Sequence, residues 1–66
     1  MQNNIRDIAQ EKNIKISQII KETGLSKSYV YDVINKKSSP SIEVAMKIAN
    51  ALKASIQEVF SEQEEQ

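Results

Sequence analysis

A single glycine, Gly24, stands between two short stretches whose apolar residues recur at helical spacing. No other feature of the 66-residue chain narrows its folds as much. Before the glycine, Ile16, Ile19 and Ile20 share one side of a helix predicted over about 16–23. After it, Ser26 is placed as an N-cap, and Val30, Val33 and Ile34 form the apolar face of a helix over about 27–35. Leu25 plugs the turn between them. Glycine takes positive φ without steric cost, so it ends the first helix and turns the chain tightly into the second. One glycine and one proline leave little turn chemistry for a multi-stranded sheet. The chain therefore reads as all-α.

Three further helices complete this reading. Ile5, Ile8 and Ala9 mark a helix over about 3–12, ended by Asn13, a residue that tolerates the left-handed conformation. After the loop Asn35-Lys36-Lys37-Ser38-Ser39-Pro40, Ser41 caps a helix over about 42–52 with the stripe Ala45, Ile48, Ala49 and Leu52. Ser55 and Glu58 have the spacing of a capping box for a short fifth helix carrying Ile56, Val59 and Phe60. Such short helices suit a globular packing at steep angles rather than a bundle of long ones. The expected core is Ile5, Ile8, Ile19, Leu25, Val30, Val33, Ala45, Ile48, Leu52, Ile56 and Phe60, with Leu25 and Val33 nearly inaccessible. Some of Leu52, Ile56, Val59 and Phe60 are expected to stay partly exposed as a dimer patch. The domain is placed at 1–60, and 61–66 is read as an acidic, frayed tail.

Composition removes several kinds of chemistry. Without Cys or His, thiol chemistry, disulfides, a structural zinc site and His-based proton transfer are excluded. A lone glycine forms no phosphate-cradling loop. No apolar run approaches the ~20 residues of a membrane span, and Met1-Gln2-Asn3-Asn4 is no signal peptide. Asp7 and Glu11 lie four apart on one helix, but Arg6, Lys12 and Lys15 beside them make a solvated charged face, so the chain is not read as an enzyme. The zero net charge hides an asymmetry. Up to residue 57 there are nine bases against five acids, a net +4, and Glu58, Glu62, Glu64 and Glu65 offset it at the C-terminal end.

The segment Ser17-Gln18-Ile19-Ile20-Lys21-Glu22-Thr23-Gly24-Leu25-Ser26-Lys27-Ser28-Tyr29-Val30 resembles helix 2, turn and helix 3 of the Cro and lambda-repressor (XRE) helix-turn-helix family. Pro40-Ser41-Ile42 is similar to that family's loop into helix 4. Ile48-Ala49-Asn50-Ala51-Leu52 and Ser55-Ile56-Gln57-Glu58-Val59-Phe60 are similar to its closing helices. The resemblance implies a compact five-helix, lambda-repressor-like domain that binds double-stranded DNA. Four positions depart from the family's habit. Ile20 stands where a small residue is usual, Ile16 where a DNA-contacting Gln is frequent, Ile34 where Glu is frequent, and Lys36 where Gly usually follows Asn. Without that Gly, Asn35 or Lys36 must take the left-handed cap.

The resemblance also implies a division of labour among side chains. Ser26, Lys27, Ser28, Tyr31 and Asp32 are the base-contacting candidates of the recognition helix. Lys donates to guanine, Ser pairs with several bases, and a carboxylate accepts from cytosine. Asp32 is equally placed to pair with Lys36 or to repel phosphates, and Tyr31 to meet a thymine methyl or cover the helix pair. Lys15, Ser17, Tyr29, Asn35, Lys36 and Lys37 are the phosphate-contacting candidates. No cofactor or metal is expected. The reading is a bacterial, phage or mobile-element repressor, cytoplasmic and nucleoid-associated, working as a homodimer on a near-palindromic operator. Regulation is expected through concentration, dimerisation or another protein. An antitoxin or partner-binding module on the same scaffold is the alternative, and the acidic C-terminus keeps it open.

Overall fold

Three of five helices begin at a serine whose hydroxyl closes the first turn. Ser26 Oγ accepts from the Tyr29 N–H at 3.1 Å, Ser41 Oγ from Val44 at 3.2 Å, and Ser55 Oγ from Glu58 at 3.1 Å. Each bond satisfies an amide that the helix itself leaves without a partner. At Ser55 the capping box is complete, because the Glu58 carboxylate accepts the Ser55 N–H at 2.9 Å. That bond, with help from the Ser55 side chain and the charge of Lys12, holds the Glu58 carboxyl below its ordinary value.

The computed structural model describes residues 3–60, and the acidic tail expected over 61–66 lies outside them. The helices are α1 (Ile5–Glu11), α2 (Ile16–Thr23), α3 (Lys27–Ile34), α4 (Ile42–Ala51) and α5 (Ile56–Val59). Among the described residues there is no strand. α1 starts two residues later than its stripe suggests. Asn3 Oδ1 accepts from the Ile5 N–H at 3.2 Å, and the Asn4 N–H is committed to the Val59 carbonyl at 2.7 Å.

The C-terminal ends of α1 to α4 share one device. Asn13, Gly24, Lys36 and Lys53 take left-handed φ values of 59°, 73°, 67° and 55°. After three of them the next amide reaches back five residues. Ile14 donates to Ala9, Lys37 to Asp32 and Ala54 to Ala49, at 2.8, 2.8 and 3.0 Å. These bonds satisfy the last carbonyls of α1, α3 and α4. Gly24 closes α2 with a single bond to the Ile20 carbonyl at 3.0 Å. A Cβ on Gly24 would meet nothing within 4 Å, so its φ alone requires glycine.

α4 packs mainly on α2 and α5, and α2 also packs on α3. Ile5, Ile19, Ile48, Leu52, Val30, Val33 and Val59 are fully buried between them. Full burial of one such side chain stabilises the fold by about 1.5–3 kcal/mol over leaving it exposed. Ile34 is buried as well. The core thus accepts an apolar residue at a position where the resemblance leads one to expect Glu. Ile8, Leu25 and Ile56 pack at its margin and are only partly buried. The expectation that Leu25 is nearly inaccessible is therefore corrected; its turn stays at the surface, and Val33 alone of the pair is sealed. The expected dimer patch shrinks to one of its four residues. Leu52, Val59 and Phe60 are buried because α5 folds back onto α4, leaving only Ile56 partly open. Among the described residues the exposed large apolar ones lie elsewhere, at Ile42 and Met46 of α4.

Candidate nucleic-acid interface

α3 is anchored on one side and open on the other. Val30, Val33 and Ile34 are locked in the core, while Lys27, Ser28 and Asn35 are exposed. The Ser26 hydroxyl oxygen is occupied by the Tyr29 amide, but its own proton remains available to donate. The first turn of α3 therefore presents two hydroxyls and an ammonium group, all capable of donating.

Tyr31 and Asp32 are both partly buried. Tyr31 lines a shallow groove of about 520 Å³ with Arg6, Ala9, Gln10, Ile14, Lys15, Ile16 and Ser17. Its ring packs against the core margin and so ties the middle of α3 to the start of α2. The Asp32 carbonyl accepts from the Lys37 and Ser38 amides at 2.8 and 3.3 Å. Lys36 leaves the helix at φ 67°, so the regular i, i+4 spacing that would pair it with Asp32 does not continue to it. Tyr29 is also partly buried, packed against the core.

The start of α2 borders the same groove. Lys15 takes the cap position but its side chain forms no capping bond, since an ammonium cannot accept from an amide. The first amides of α2 are therefore left without a side-chain cap, beside an exposed cation and the exposed Ser17 hydroxyl. Amides and dipole at a helix start favour an anion. Ile16 lies in the groove wall and adds no polar atom. Beyond α3, Lys36 and Lys37 are both exposed on the loop.

The structure thus brings Lys15, Ser17 and Tyr31 around one groove and leaves Lys27, Ser28, Asn35, Lys36 and Lys37 on exposed surface of α3 and its loop. Tyr29 stands apart from the groove lining. Two groove residues were missed in the sequence, Arg6 and Gln10. Their i, i+4 spacing places them on one face of α1, which was a usable signal. Asn3 was missed as well. Its amide donates to the Val33 carbonyl at 3.0 Å and to Ile34 at 3.4 Å, fastening the last turn of α3 to the start of α1. No local pattern announces a bond between residues 30 apart. Among the described residues no group of acidic side chains is arranged to hold a metal ion, and no helix is long and apolar enough to cross a membrane.

A family model described as helix-turn-helix matches residues 5–59. No curated protein matches the chain. The match takes in all five helices, and the chain belongs to the helix-turn-helix family of the XRE type, as in Cro and lambda repressor. This is a family of DNA-binding regulators rather than of enzymes.

Proposed function

We propose that this helix-turn-helix regulator binds a specific double-stranded operator and represses a bacterial, phage or mobile-element operon. The observation that carries the reading is the two-sided character of α3. Its apolar face is sealed in the core, and its capped first turn offers Lys27 and Ser28 to whatever the surface meets. In this reading α3 lies in the major groove, which admits a helix and displays a distinct donor and acceptor pattern for each base pair. Ser26, Lys27 and Ser28 approach base edges from the first turn, and Asp32 and the edge of Tyr31 follow one turn later. Lys15 and Ser17 at the start of α2 meet one stretch of phosphates, joined by Arg6 from α1. Tyr29, Asn35, Lys36 and Lys37 meet phosphates from α3 and its loop. Two copies on half-sites centred about 34 Å apart match one turn of duplex.

The loop lysines test the electrostatic half of the proposal. Lys36→Ala with Lys37→Ala is expected to weaken binding to operator and random duplex alike. It should flatten the slope of log affinity against log salt by roughly 0.9 per lost phosphate contact. Fluorescence titrations at several salt concentrations measure it. An unchanged slope removes both lysines from the interface and favours the antitoxin or partner-binding reading.

A further inference from the structure

The end of α3 is the least self-sufficient helix end in the fold. Lys36 holds φ 67° without glycine's freedom, and no backbone amide among the described residues reaches the Ile34 carbonyl. A side chain from the start of the chain meets it there. Asn3 Nδ2 donates to the Val33 carbonyl at 3.0 Å and to the Ile34 carbonyl at 3.4 Å, while Asn3 Oδ1 accepts the Ile5 N–H at 3.2 Å. We propose that Asn3 is a positioning residue for DNA binding: it holds the end of α3 so that the following loop presents Lys36 and Lys37 in a fixed place.

Asparagine suits both demands. Its amide has donors for two carbonyls and an acceptor for the α1 amide. An aspartate would set a carboxylate against two carbonyl oxygens. A serine could still accept the Ile5 N–H but would end short of α3. A bond between residues 30 apart holds only if Asn3 is itself held, because ordering a loose chain costs entropy. The neighbouring residues hold it. The Ile5 side chain is fully buried, the Asn4 N–H donates to the Val59 carbonyl at 2.7 Å, and Asn4 Nδ2 donates to the Glu58 carbonyl at 2.9 Å. Residues 3 and 4 thus tie the end of α3 to the end of α5.

The tie reaches the cations through the backbone. The Lys37 and Ser38 amides both donate to the Asp32 carbonyl, immediately before the two carbonyls that Asn3 holds. Those backward bonds fix where Lys36 and Lys37 leave the helix. A loop that wanders must be ordered when it meets phosphates, and that loss of freedom is subtracted from affinity. The part Asn3 plays in DNA binding rests on the operator reading; its hold on the loop does not.

Two substitutions separate this role from simple capping of α1. Asn3→Ser keeps an acceptor for the Ile5 N–H and loses the reach to α3, whereas Asn3→Ala loses both. Amide hydrogen exchange without DNA, followed by NMR, reads the loop directly. The Lys37 amide is expected to exchange several-fold faster in N3S and N3A alike. The Ala54 amide makes the same backward bond at the end of α4 and should keep the parent's rate. On mixed-sequence duplex, N3S should bind several-fold more weakly than the parent. With Lys36→Ala and Lys37→Ala already present it should have no further effect, since residues that act through one another are non-additive. Melting curves check that each variant is folded. Lys37 exchange in N3S equal to the parent's overturns the proposal and leaves Asn3 as a cap of α1. So does an effect of N3S on affinity that persists undiminished without the two lysines. Failure of the operator reading looks different: the lysine substitutions then leave the parent's duplex affinity unchanged, and the exchange rates alone decide whether Asn3 holds the loop.

Discussion

The two ends of α3 are built by opposite rules. At its N-terminal end conformation and chemistry agree. Gly24 takes φ 73°, Ser26 caps the helix, and Lys27 and Ser28 emerge in the open. At its C-terminal end they conflict. Lys36 holds φ 67°, a conformation that costs a residue with a Cβ about 1–2 kcal/mol. Compensation comes from the backward bond of Lys37 to Asp32, from buried Ile34, and from Asn3 on the last carbonyls. A glycine at position 36 would relieve the strain but remove a cation. The difference teaches where charge outranks conformation: at the loop, the site proposed to meet phosphates, and not at the turn.

Ile34→Ala attacks the strained end where it is anchored, and the largest effect is expected there. It should destabilise the fold by about 2–5 kcal/mol, measured by urea unfolding. Leu25→Ala at the other end, truncating a partly buried side chain, should cost less. Equal losses would mean that the two ends are not anchored differently.

Backbone substitutions sharpen the contrast. Gly24→Ala should destabilise by about 1–2 kcal/mol through φ alone, since the added methyl group has room. Lys36→Gly should do the reverse, raising stability by up to about 1 kcal/mol. It should also lower DNA affinity and flatten its salt dependence. A destabilised K36G with unaltered binding would overturn the idea that strain is accepted there for charge.

The smallest effect is expected from acid. Asn4 donates to the carbonyls of Glu58 and Val59, so the α5 capping box braces the same N-terminal segment from which Asn3 reaches α3. The folded Glu58 carboxyl lies below its ordinary 4.5. Its contribution is thus complete above that value and is lost as pH falls through the lower folded value. Glu58→Gln should remove this part of the acid sensitivity, seen as a flatter melting-temperature profile below pH 4.5.

Much of the fold was legible in the sequence because its signals are local. Ser26, Ser41 and Ser55 act within three residues, and Asn13 and Gly24 act on their own φ. What escaped depends on how elements meet. That α5 buries Phe60 rather than presenting it, that Leu25 stays partly open, and that Tyr31 lies against the start of α2 follow from tertiary placement. Lys53 at φ 55° had no sequence signal, since lysine is not a residue that seeks that conformation. For the interface, residue type marked the cations of α3 and its loop. Arg6 and Gln10 join the groove only because α1 crosses beside the start of α2.

The claim that the exposed first turn of α3 reads base sequence is tested most directly by a base-by-base substitution scan. An operator is first selected from random DNA with the parent protein, then scanned with the parent and with Lys27→Ala. The variant should lose its preference at one position in each half-site, at a cost of about 1–3 kcal/mol on the selected operator. Every other position should keep the parent's preference, and random duplex should weaken only by the lost charge. A uniform loss across all positions, with the parent's base preferences intact, would contradict the claim and show that α3 is not the reader.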